Sequence, residues 1–435
     1  LNARFLCRAS LSALLLAASA GLRAEAPEHI SYSVNRNDTL YDLARRYFAD
    51  PASYPAVQKL NRIGNPRRIP VGRVLKIPRS MLRREQIEAV VQSYRGSVLV
   101  GVRGASVGLK VREGDLIETG ARSFVSLRLP DNTAVALPPG SRVRVERLRR
   151  TLLAQSVERR FVVQKGQASG VVTPMTDPHS TFEFLTPRAI TSVRGTRFRT
   201  SYDPASGATK VEVSEGKVAF REAREREREQ AVAAGFGTSD TLAAPVPLLA
   251  PPDLVSPDRS QTEERLAFAA RPVAGGGRYR FQIARDAGFL DVLDEAYAPT
   301  PFAEFPGLPR GTYFVRLAAI DDHDLEGLAS TYSFERRLNR LRTSLEESRA
   351  GRYRQFLFRW QAPDAPNASF RFQLSRSADG SAPLVDQTGL TEGAFVITDL
   401  AAGTYYWRVM SIETADGQVY TKWSPTSELR VGTVK

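Results

Sequence analysis

Thiols are nearly absent from this chain, since Cys7 is its only cysteine in 435 residues. A disulfide framework, a thiolate metal site and a cysteine nucleophile are therefore excluded downstream of that position. Histidine is almost as scarce: His29, His179 and His323 stand far apart in sequence. Neither a histidine metal site nor a Ser-His-Asp triad has its material. No His-Glu-x-x-His string, phosphate-binding glycine loop or nucleophile elbow occurs. Paired carboxylates can in principle serve a glycosidase, but acidic residues such as Asp38 and Glu215 fall in motifs with a structural role. The expectation is a protein that is not an enzyme, with no catalytic residue, no cofactor and no metal.

Long apolar runs are also missing. Residues 11–22 form a stretch of about a dozen apolar positions, short of the roughly 20 needed to span a bilayer. Arg4 and Arg8 precede it and Ala18-Ser19-Ala20 lies near its end, the pattern of a cleavable export signal. Residues 1–26 are read as a signal peptide that takes Cys7 with it, and no transmembrane span is expected after cleavage.

What remains is long, basic and rich in strand formers. The length exceeds the usual domain size, so several cores are expected. The net charge is +14, and the first 26 residues hold three arginines and one glutamate, leaving +12 on the mature chain. This balance suits anionic polymers or surfaces. Arginines scattered through strand-like segments read as solvated surface, so nucleic acid is not assigned as a partner.

Residues 29–78 give the sharpest pattern. Ile30, Tyr32 and Val34 alternate as in a half-buried strand. Thr39 and Asp42 have capping-box spacing, after which Leu40, Leu43, Ala44 and Tyr47 share a helical face. Pro55 favours the start of a second helix with Val57 and Leu60 inward, Asn61 and Gly64 to Pro66 break it, and Val74, Leu75 and Ile77 form a closing strand. The segment resembles the LysM module in Asp38-Thr39-Leu40, Leu60-Asn61, Asn65-Pro66, Ile69-Pro70, Gly72 and Leu75-x-Ile77-Pro78. Asn37 stands where the family usually has glycine, and asparagine best replaces glycine at positive φ. The resemblance implies binding of N-acetylglucosamine glycan, hence peptidoglycan in a bacterial envelope. It places the sugar between Asn37, Asp38, Thr39 and Leu40 on one side and Arg62, Ile63, Gly64, Asn65 and Ile69 on the other. Short polar groups would meet the amide and hydroxyls there, and apolar surface the acetyl methyl.

From residue 84 to 220 short strands alternate with Gly, Pro and Asp-Asn turns, which predicts an all-β sandwich or a coiled, solenoid-like β domain. The stretch resembles the FecR domain, most specifically in Thr186-Pro187, Gly195-Thr196-x-Phe198 and residues 213–218. In its best-known setting that domain relays a signal across the periplasm. Residues 221–256, first charged and then Pro-rich, read as a linker. Beyond it the chain repeats itself: residues 278–286 recur at 369–377, and 308–321 at 400–413. Units of this size with a Gly-Thr-Tyr step into a strand resemble fibronectin type III modules, over 257–340 and 350–435. Trp360, Tyr405 and Trp407 are then core residues rather than a sugar platform.

The expected fold class is multidomain and mainly β: a small βααβ LysM module at 27–80, an all-β FecR-like domain at 84–220 and two β-sandwich modules. The expected function is a periplasmic, cell-wall-associated scaffold that binds peptidoglycan and presents its β-modules to an envelope protein. The competing reading is a periplasmic sensor or regulator built on the FecR-like domain.

Overall fold

The computed structural model describes residues 29–223, 229–257, 260–351, 353–415 and 417–432. The assigned export signal lies outside them. The architecture is mainly β, and the chain divides into two compact units, Leu1–Leu248 and Leu249–Lys435.

The first unit opens with strand β1 (His29–Ser33), helices α1 (Leu40–Tyr47) and α2 (Tyr54–Leu60), and strand β2 (Val74–Pro78). The strands pair antiparallel, with Ile30 opposite Ile77 and Tyr32 opposite Leu75. Helix α1 starts where its sequence says it should. The Thr39 hydroxyl accepts the Asp42 amide at 3.0 Å and donates to the Asp42 carboxylate at 2.7 Å, so two short side chains hold the first turn. Arg45 and Arg46 lie in the last turn, where positive charge opposes the helix dipole. Helix α2 is tied down by Asn61, not by Leu60. The Asn61 amide donates to the carbonyls of Val57 (2.9 Å) and Lys76 (2.7 Å) and its oxygen accepts the Lys76 amide (2.7 Å), while Leu60, expected inward, is exposed.

This small core reaches past the expected boundary at residue 80. Leu82 is buried in it and bridges Phe48. Leu153 and Ala154, at the tip of a hairpin in the next domain, pack on the same core. Beside this contact Glu158 accepts from Arg79 (3.0 Å) and Arg149 (3.0 Å), with Arg84 at 3.7 Å. The βααβ module is thus docked on its neighbour by an apolar tip and a buried carboxylate.

That neighbour, from Arg84 to Pro247, is a closed array of strands made from two sheets. One strand belongs to both sheets. The first part of Val157–Val171 pairs with Arg142–Thr151 and, in parallel, with Thr181–Leu185; its last part pairs with Arg197–Tyr202 and Ala134–Leu137. Gly166 marks the change of sheet with φ +77, and a Cβ there would lie 2.7 Å from the Ser141 Cα. Only glycine fits such a position without a shift. The core is aliphatic around a phenylalanine group, Phe161, Phe182, Phe184 and Phe198, with ring centroids 5.2–6.2 Å apart.

The expected linker at 221–256 is corrected by the structure. Glu229–Ala233 and Phe236–Ser239 are strands paired with Lys217–Glu222 and Thr209–Glu215, so the domain runs beyond residue 220. The Pro-rich part is also held. Leu254 lies in the next core, the Val255 amide donates to Ala269 O at 2.7 Å, and Leu328 N donates to Leu249 O at 2.9 Å. Proline cannot donate to a ladder but tolerates an edge, and that is the position this segment takes.

The second unit holds two β-sandwiches. In the first, Leu266–Ala269 and Phe302–Phe305 form a two-stranded sheet opposite a four-stranded one; in the second, a three-stranded sheet faces one of five strands. The internal repeat sets matching corners. Tyr313 donates its hydroxyl to Pro309 O (3.1 Å) and Tyr405 to Ala401 O (2.8 Å), each just after a glycine of positive φ, Gly311 or Gly403. This is the tyrosine corner of such sandwiches. Trp360, Tyr405 and Trp407 are buried, as core residues should be. Tyr405→Phe, which deletes one corner hydrogen bond and little volume, is expected to cost about 1 kcal/mol. Urea unfolding followed by tryptophan fluorescence reads this unit selectively, because Trp360, Trp407 and Trp423 all lie in it.

Candidate functional site: two loops of the N-terminal module

The loop after β1 and the loop after α2 lie side by side, joined by a backbone hydrogen bond from Leu40 N to Pro66 O at 2.9 Å. Each contains a non-glycine residue of positive φ, Asn37 at 72° and Arg62 at 50°. The expectation for Asn37 therefore holds at the level of the backbone. Arg62 reaches this conformation with its carbonyl held by the Arg73 guanidinium, which donates to Asn61 O (2.6 Å) and Arg62 O (3.4 Å).

The nine residues expected at the site divide into two groups. Asn37, Arg62, Gly64 and Asn65 are exposed, and Asp38 and Thr39 are half-buried. Asp38 accepts from the Tyr32 hydroxyl (2.6 Å) and the Asn35 amide (2.7 Å), and Thr39 caps α1, so both polar side chains already shape the first loop. Burial, with the Asp38 carboxylate beside it, holds the Tyr32 phenol above its ordinary pKa, which keeps it a donor to Asp38. In the second loop the Asn65 side-chain oxygen accepts the Arg67 amide at 2.9 Å. A Cβ at Gly64 would meet nothing within 4 Å, so that part of the loop faces open space.

The other group is Leu40, Ile63 and Ile69, whose side chains lie in the module's core at 0%, 5% and 8% exposure. They were expected to offer an apolar surface to an acetyl methyl, and the structure spends that surface inside. The Ile63 backbone is committed too, its amide donating to Gln58 O (3.0 Å) and its carbonyl accepting the Gln58 side-chain amide (3.0 Å). Exposed apolar surface sits instead on Tyr41, edge-on to Tyr54 at 6.3 Å, and on Val71. The helical period carried this signal for Tyr41, which falls off the Leu40, Leu43, Ala44 face.

Among the described residues no group of three or more His, Cys, Asp or Glu stands where it could hold a metal, and no helix is long and apolar enough to cross a membrane. His179 lies in the β-domain, where burial pushes its pKa down and its Nδ1 has no hydrogen-bond partner among the described residues.

Comparison with known proteins assigns residues 32–78 to the LysM domain and residues 115–219 to the family described as FecR protein. No curated protein sequence matches the chain. Among solved structures, one described as a "putative anti-sigma factor" from Parabacteroides distasonis ATCC 8503 shares 22% identity over 30% of this chain and 57% of its own, with a TM-score of 0.24. This chain thus spans little more than half the length of that protein. A two-module fibronectin type III segment of chicken tenascin aligns at 18% identity over 40% of this chain and 99% of its own, TM-score 0.19. Fibronectin(III)-like modules of CbhA from Clostridium thermocellum align at 10% identity over 42% and 94%, TM-score 0.22. At these scores the likenesses carry no argument of their own, and the sandwich assignment rests on strand order and the tyrosine corners. The matched domains are of binding and regulatory kinds, and the chain carries a LysM domain followed by a FecR-family segment and two fibronectin type III-like β-sandwiches.

Proposed function

We propose that this is a non-enzymatic cell-envelope protein, periplasmic and wall-associated, that holds peptidoglycan through its LysM domain and presents its β-domains to another envelope protein. The observation that carries the reading is the pair of loops stitched by Leu40 N and Pro66 O within the LysM match, with Asn37, Gly64 and Asn65 exposed on them. Short polar side chains beside open backbone suit a sugar's amide and hydroxyls. Buried Leu40, Ile63 and Ile69 serve this site by holding the loops in place.

Gly64→Val tests it. The substitution puts bulk into open space at a position without positive φ, so the fold is expected to survive while an approaching glycan is obstructed. In sedimentation of the full chain with purified sacculi, the variant should be retained severalfold less than the unaltered protein. Equal retention would remove the second loop from the site.

The FecR match favours a second reading, a sensor of envelope state that acts through the central β-domain. Deleting the gene separates the two: altered transcription of envelope genes supports the sensor, and an unaltered transcription profile supports the scaffold.

A further inference from the structure

The two loops are crowded with cations. Arg36 adjoins Asn37 in the first, and Arg62, Arg67 and Arg68 belong to the second; all four are exposed, and none has an ion pair among the described residues. Residues 29–82 contain only three acids, Asp38, Asp42 and Asp50. Each is already used, Asp38 by Tyr32 and Asn35, Asp42 by Thr39, and Asp50 by the Ala52 amide.

In the adjoining β-domain several arginines do have acidic partners. There Arg103 meets Asp115, Arg112 meets Glu88, Arg142 meets Glu118, Arg150 meets Glu85 and Arg197 meets Glu215. Exposed arginines on two touching loops, with no acidic partner of their own among the described residues, stand open to an anion, and a planar carboxylate or a phosphate is the geometry guanidinium groups bind best.

We infer that the LysM loops take an anionic N-acetylhexosamine chain, one bearing carboxylates or phosphates beside the sugar, in preference to a neutral one. The inference rests on the glycan reading above and adds the charge of the ligand to it. Exposed contacts of this kind are individually weak, so four together should change affinity by roughly tenfold at low salt. The preference should fade as salt screens it.

The test compares the full chain with a variant carrying Arg36→Gln, Arg62→Asn, Arg67→Gln and Arg68→Gln; asparagine at position 62 suits the positive φ. A control of equal charge carries glutamine at Arg95, Arg128, Arg271 and Arg349, all exposed and outside the loops. Ligands are intact sacculi, sacculi stripped of stem peptides by an amidase, sacculi freed of phosphate polymers by hydrofluoric acid, and a neutral N-acetylglucosamine hexamer. The expected result is about tenfold weaker binding of the loop variant to intact sacculi, a clearly smaller loss with the hexamer, and no effect in the control. Whichever stripping step abolishes the difference identifies the source of the anion. Equal loss in the control, or no loss in the loop variant, overturns the proposal. Failure of the unaltered chain to bind any of the four ligands overturns the glycan reading itself, and the charge preference falls with it.

Discussion

Glu158→Ala is expected to free the LysM domain from the β-domain. The carboxylate lies 3.0 Å from both Arg79 and Arg149 and 3.7 Å from Arg84, with its side chain largely out of solvent. Removing it leaves three guanidinium groups facing one another without the anion that gathers them, a loss of about 3–5 kcal/mol for a buried network. The apolar contact of Leu153 and Ala154 remains but is small. Hydrogen exchange on the full chain should therefore show faster exchange at the joint, in residues 79–86 and 149–158, while the Phe161, Phe182, Phe184 core stays protected. Unchanged protection at the joint would mean that the apolar tip alone holds the module. Acid should act in the same direction. Burial raises the Glu158 pKa, but Arg84, Arg149 and Arg79 outweigh it and hold the docked value below the ordinary one of 4.5. The stabilisation is complete above the ordinary value and is lost as pH falls through the lower docked value. In Glu158→Gln this acid step should disappear.

Ile63→Asp is expected to unfold the LysM domain, although position 63 lies in a loop. The side chain is 5% exposed among Val57, Ile69 and Leu75, and an aspartate there has no basic partner inside the core. Burying a charge without a partner costs several kcal/mol, on the order of 4, which is most of what a core this small can supply. Circular dichroism of residues 29–248 should lose the α1 and α2 signal, and glycan retention should vanish with it. Loss of retention with helicity intact would place Ile63 in the ligand surface after all.

These two positions show what the sequence could and could not say. The Thr39–Asp42 spacing, the 3.6-residue period of α1 and the alternation of β1 are local, and the βααβ order follows from them. The internal repeat exposed the two sandwiches, because a residue pattern that places Tyr313 and Tyr405 after a glycine specifies the same corner twice. The roles of Ile63 and Ile69 were not legible. A module with so few residues must draw core side chains from its loops, and an apolar loop residue looks the same in sequence whether it faces a ligand or the interior. The strand Glu229–Ala233 was hidden for a related reason. Only Val232 in it is buried, so its sequence resembles a solvated connector, and pairing to Lys217–Glu222 is set by distant residues.

Strand Val157–Val171 has a consequence for how the first unit comes apart. Because it supplies hydrogen bonds to both sheets, neither sheet can separate from the other without breaking part of its own ladder. Its second residue, Glu158, is also the one that fastens the LysM domain. Slow amide exchange along this strand should consequently have one common opening free energy on either side of Gly166, as a single foldon rather than two. A truncation ending anywhere inside it would leave two incomplete ladders, so a shortened version of this protein has to keep the whole strand or dispense with the β-domain.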